Sequence, residues 1–199
     1  MQTFSIFVTV WLKFFFLLTP FFALSLFLVM TRTMNSSAKT NLALRVTGAV
    51  VLACFILYFF GNVIFSVFGI TLDAFRIGAG AILFLSAMDL VRGSKAGHSS
   101  DEEGDIAVVP LAIPVIVGPG TTGALLVMGA ETTDINTMFI GYGALLLAVF
   151  CVMVLLLLAT PIEKLIGQRG LSILSKLTGL VVSAIAAQMI FTGIKNFLK

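Results

Sequence analysis

The sequence predicts an all-α membrane protein of six transmembrane helices, arranged as two inverted three-helix repeats, with helices 1 and 4 broken at Pro and Gly. Three observations predict it: an apolar excess that no single core could hide, six apolar stretches of span length, and helix breakers that recur at a near-constant separation. Of the 199 residues, 59% are hydrophobic and 11% charged, and the mean hydropathy is +1.14. A soluble chain of this size cannot bury so much apolar surface, so the surplus must face lipid.

Crossing a hydrocarbon core takes about 20 helical residues. Stretches near residues 4–31, 41–68, 72–93, 107–130, 135–160 and 173–197 have that length. The first lacks a basic leader, since Met1 to Trp11 carries no Lys or Arg, and is expected to stay in the mature chain. Lys13 is expected to snorkel from it to the interface. Cys54 and Cys151 lie deep in apolar segments and read as packing residues. The one long hydrophilic segment, "RGSKAGHSSDEEGD" at 92–105, separates spans three and four and reads as a flexible linker. The expected organisation is a first repeat over 1–93, a cytoplasmic linker over 94–106, and a second, inverted repeat over 107–199.

The repeat is read from paired residues. Aligning "FRIGAGAILFLSAMDLVRG" with "SKLTGLVVSAIAAQMIFTG" pairs Arg76 with Lys176, Ala87 with Ala187 and Gly93 with Gly193, a separation of 100. Pro20 pairs with Pro119 at 99, and Gly69 with Gly167 at 98. Three spans is an odd number, so the second half enters the membrane upside down, as in many secondary transporters. The loops after spans one, three and five carry Arg32, Lys39, Arg45, Arg92, Lys95, Lys164, Arg169 and Lys176, against Arg76, Lys195 and Lys199 on the other side. Eight against three places those loops in the cytoplasm and both termini outside.

The breaks carry the functional expectation. Proline and glycine inside a span free backbone groups, which lipid does not tolerate unless protein or a wet cavity covers them. Each break also starts a new helix, whose N–H groups and positive dipole end suit a carboxylate. Candidate binding residues are therefore Gly118, Pro119, Gly120, Thr121, Thr122 and Gly123 in span four, and Thr19 and Pro20 in span one. The plain alternative is a pair of kinks that only shape packing. Gln188, midway along span six, is a ligand contact or interhelical glue. Asp89 is a coupling candidate for a proton, or the partner of Arg92 one turn on. Asn62 could cap or bridge helices. Gly78, Gly80 and Gly179 suit close helix packing, and Arg76 and Lys176 anchor span starts.

Enzyme chemistry is not expected. His98, the only histidine, lies in the linker, no phosphate-binding loop is present, and no cofactor or metal motif appears. The net charge of +3 sits mostly in loops and forms no basic stripe for nucleic acid.

"FGITLDAFRIGAGAILFLSAMDLVRG", "VVPLAIPVIVGPGTTGALLVM" and "LTGLVVSAIAAQMIFTGIKNFL" together resemble the MarC family of bacterial and archaeal inner-membrane proteins. The resemblance covers nearly the whole chain except the linker. It implies six helices in the cytoplasmic membrane, and some relatives are described as transporters of small neutral amino acids. Where the family usually has Asn-Pro or Asp-Pro followed by Gly in span one, this chain has Thr19-Pro20-Phe21-Phe22. Thr19 keeps a side-chain oxygen without the amide or carboxylate, and Phe22 stands in place of a small residue. The expected function is a secondary transporter or exporter of small polar metabolites, with a proton or sodium as coupling ion. A passive channel and a non-transporting scaffold are the competing readings. The expected partners are the bilayer and a small-molecule substrate, and a homo-oligomer is compatible with this reading.

Overall fold

The computed structural model describes residues 2–93, 116–131 and 134–198. The linker and the first part of the expected fourth span, 107–115, lie outside the described residues, as does the side chain of Asn62. Seven helices make up the described part: α1 (Gln2–Leu17), α2 (Pro20–Met30), α3 (Ser36–Phe68), α4 (Leu72–Arg92), α5 (Pro119–Glu131), α6 (Ile135–Leu157) and α7 (Ala159–Phe197). No strand occurs among the described residues. Among the described residues, five segments are long and apolar enough to cross a membrane: Phe4–Met30, Ser36–Gly61, Leu72–Arg92, Ile135–Leu157 and Ala159–Phe197.

Local chemistry explains most of the helix ends. Asn35 accepts the Ala38 N–H at 2.8 Å and starts α3, five residues before the expected boundary at 41. Thr71 and Asp134 cap α4 and α6 in the same way, accepting from Ala74 at 3.3 Å and Thr137 at 3.0 Å. Gly69 ends α3 with φ +63°, a left-handed conformation that costs glycine nothing. Its expected counterpart, Gly167, has φ +67° and ψ 172° inside α7. There the structure corrects the sequence reading: residues 161–172 are helical up to and beyond a kink at Gly167, and do not form a loop before a helix at 173.

The packing sets α4 against α7, α3 against α5 and α6, α1 against α6, α2 against α7, and α5 against α4. Lipid offers no hydrophobic drive between helices, so small residues that let backbones approach do this work. A Cβ on Gly80 of α4 would stand 3.1 Å from the Ala186 carbonyl oxygen and 2.7 Å from Ile190 Cγ1. A Cβ on Gly179 of α7 would stand 2.9 Å from the Ala87 carbonyl oxygen and from Val91 Cγ2. The two contacts are reciprocal, and Gly80–Gly179, Ala87–Ala186 and Val91–Ile190 share one separation (179 − 80 = 99). Gly78, by contrast, faces open space, so of the two glycines in the 78–80 stretch only Gly80 is a packing residue.

Burial follows the same spacing. The buried residues of α4 are Arg76, Ala79, Gly80, Leu83 and Ala87, and each has a buried residue of α7 99 positions later: Ser175, Thr178, Gly179, Val182 and Ala186. These buried positions match at 99, whereas the sequence pairing of Arg76 with Lys176 is at 100. In α3, buried Val46, Val50, Cys54 and Tyr58 precede buried Ala144, Ala148, Val152 and Leu156 by 98 (144 − 46). Outside this core, large apolar side chains such as Phe4, Phe68 and Phe191 are at least 70% exposed, a surface suited to acyl chains.

Candidate functional site

The first span is interrupted where the proline falls. α1 stops at Leu17, α2 begins at Pro20, and Thr19 between them adopts φ 44°, ψ 56°. A β-branched residue in the left-handed region is uncommon and strained. Pro20 has no N–H to donate, and the Phe16 carbonyl instead accepts from Thr19 N–H at 3.0 Å. The Leu17 carbonyl, left by the break, is satisfied from the other half of the chain: Thr121 of α5 donates its hydroxyl to it at 2.8 Å, in a buried position. α5 itself begins at Pro119, with Ile116 and Val117 buried just before it. One hydrogen bond thus joins the α1–α2 interruption to the first turn of α5. It also gives the Thr121 hydroxyl a structural partner in Leu17, while its oxygen can still accept a hydrogen bond.

A cavity of about 200 Å³ lies at this junction, lined by Thr19, Gly118, Pro119, Gly120, Thr121 and Asp89 among others. Six residues proposed from sequence therefore converge. The Thr19 hydroxyl oxygen is buried with no hydrogen-bond partner among the described residues, and α2 has no side-chain cap. Asp89 is exposed and forms no ion pair with Arg92 among the described residues, so the expected i,i+3 pair is replaced by an unpaired carboxylate at the cavity.

Pro20, Gly123, Thr122 and Gln188 lie outside this cavity. Pro20 is buried at the start of α2. Gly123 fits α5 against Ala79 of α4, and a Cβ there would overlap the Ala79 methyl. Gly120 lines the cavity and is also tightly packed, its Cβ position being 2.6 Å from Leu83 Cα. Thr122 is half-buried and outside the cavity. Gln188 lines a second cavity of about 90 Å³, together with Lys13, Arg76, Glu131 and Thr192.

The two cavities are related. Ser86, Asp89 and Leu90 line the first, and Ile185, Gln188 and Met189 line the second, each 99 residues on (188 − 89 = 99). Leu17 is a wall of both. The first lies toward the C-terminal end of α4 and the second toward its N-terminal end, one on either side of the break.

Sequence reasoning missed the charges of the second cavity. Arg76, only 8% exposed, pairs with Asp73 one turn away and with Glu131 at the end of α5, and Asn196 of α7 donates to Asp73 at 3.3 Å. It is therefore not a simple interface anchor. The available signal was a basic residue in a small-residue stripe, "FRIGAG", on the face that turns inward. No group of three or more His, Cys, Asp or Glu among the described residues could hold a metal.

These features define a class: a polytopic α-helical integral membrane protein, with a cavity where the α1–α2 interruption meets the start of α5. The chain belongs to the MarC family, whose description, MarC family integral membrane protein, matches residues 4–198. It is 36% identical over 191 residues to the UPF0056 membrane protein MJ1677 of Methanocaldococcus jannaschii, covering 92% of each chain. It is 32% identical over 182 residues to a UPF0056 membrane protein of Aquifex aeolicus, covering 86% of this chain and 85% of that one. To YhcE of Escherichia coli K12 it is 31% identical over 210 residues, covering 98% and 96%. No solved structure matches the chain.

Proposed function

We propose that this protein is a secondary transporter of small polar metabolites, with small neutral amino acids as the substrate class. The substrate carboxylate is held in the cavity between the two helix breaks, near mid-membrane, by the first N–H groups of α2 and α5. The observation that carries the reading is the meeting of the α1–α2 interruption with the start of α5 at one cavity, with Leu17 also lining a second, position-matched cavity. A path with one cavity on each side of a thin barrier suits alternating access, in which two inverted three-helix halves rock about the barrier. The constant spacing of buried residues in α4 and α7, and the reciprocal Gly80 and Gly179 contacts, support that two-half organisation. The unpaired Asp89 carboxylate at the cavity is the candidate for proton coupling. The protein acts in the cytoplasmic membrane with both termini outside.

The test is counterflow of labelled glycine, alanine and serine in proteoliposomes holding the purified protein. Saturable exchange is expected. Flux without saturation would support a channel, and no exchange with any of the three would leave the breaks as packing devices of a scaffold.

A further inference from the structure

A lysine inside a membrane span is costly and is retained where it has a task. Lys13 lies four residues before Leu17 in α1 (17 − 13), about 6 Å along the axis at 1.5 Å per residue. It is half-buried, pairs with no carboxylate among the described residues, and lines the smaller cavity. Opposite in sign is the cluster around Arg76. One guanidinium there serves two carboxylates, Asp73 and Glu131, which leaves that cluster with a net charge of −1. Glu131 keeps its side chain 41% exposed while it pairs. The cavity therefore has a cationic pole at Lys13 and an anionic pole at Glu131, with the Gln188 amide also in its wall. With Asp73, which pairs with Arg76 outside the cavity wall, the formal charges sum to zero.

We propose that this cavity is a second binding site, selective for compact zwitterions: Lys13 receives the carboxylate and the Arg76-held Glu131 receives the ammonium. A ligand with one charge would leave the opposite pole uncompensated, whereas a zwitterion neutralises both. The size follows from the volume. One water needs about 10–15 Å³ by this measure, so 90 Å³ admits a molecule in the size class of glycine or alanine. The inference rests on the transport reading, since it makes this cavity a second station on the same path beyond Leu17.

The experiment is equilibrium binding of labelled glycine to the purified full chain in nanodiscs, with glycinamide and acetate as competitors that each lack one charged end. Glycine is expected to bind saturably, and both competitors to be at least about tenfold weaker, the loss of one charge-assisted hydrogen bond. Lys13→Gln and Glu131→Gln should each weaken glycine binding by about tenfold or more, while Lys13→Arg, which keeps the charge, retains it. Monodispersity and melting temperature verify that the variants fold. Wild-type binding that is absent, or that acetate matches, overturns the proposal. So does unchanged binding and counterflow in both charge variants, a result that leaves the transport reading standing. Binding that depends on both charges in a wild type with no counterflow would uphold the site and remove the transport reading.

Discussion

Replacing Thr19 by Val exchanges one hydroxyl for a methyl and little else. Both residues are β-branched, so the strain of φ 44° is common to the two chains and cancels. What remains is the hydroxyl, buried with no partner among the described residues. An unsatisfied buried polar group costs about 1–3 kcal/mol. Its removal should therefore stabilise the protein by about 1 kcal/mol, which for a chain of this length raises Tm by about 2–4 °C. Transport should respond in the opposite sense. If the hydroxyl meets substrate during the cycle, losing that hydrogen bond costs about 0.5–1.5 kcal/mol, a roughly 2- to 12-fold rise in the half-saturating substrate concentration. The assays are thermal unfolding in detergent and saturable counterflow on the same preparation. A lower Tm would refute the reasoning, because it would show that the hydroxyl is already satisfied. A higher Tm with unchanged counterflow would remove Thr19 from the substrate path.

Three further outcomes follow from the packing. Thr121→Val removes the donor to the Leu17 carbonyl and leaves that oxygen unsatisfied at the break, so melting should show a loss of about 1–3 kcal/mol, opposite in sign to Thr19→Val. Gly129→Ala places a methyl against the Tyr58 carbonyl oxygen of α3 and should cost at least about 1–3 kcal/mol as α3 and α5 separate, seen as a lower Tm and a reduced monodisperse yield. Gly78→Ala has nothing within 4 Å and should gain up to about 1 kcal/mol of helix propensity, whereas Gly80→Ala meets Ala186 and Ile190 and should lower Tm.

The pair Gly78 and Gly80 shows where sequence reading stops. Both stand in one stripe of small residues, and nothing in "GAG" says which turns toward α7. The α2 segment, "PFFALSLFLVM", is apolar but for Ser25, so its composition does not mark an inward face. In a soluble helix the polar stripe would mark the outside, but lipid and protein interior are both apolar, and the period loses its contrast. The same ambiguity explains the one-residue slip between spans three and six. Small and apolar residues score alike at 99 and 100, and burial alone separates the two registers.

Class and punctuation were legible because they depend on short-range chemistry. Apolar excess requires lipid, and Pro20 and Pro119 cannot donate within a helix; the caps at Asn35, Thr71 and Asp134 are equally local, yet the sequence reading omits them and starts α3 five residues late. The convergence of Thr19 with Gly118 to Thr121 was also foreseen, from the matching places of the two prolines. Tertiary structure alone decided the rest: that Thr121 is bonded to Leu17, that Asp89 and Gln188 line separate cavities on opposite sides of that residue, and that buried Arg76 pairs with the more exposed Glu131, 55 positions away. Each of these depends on how one helix is rotated and shifted against another. In an apolar sequence that rotation is set by contacts between distant segments, which local composition does not encode.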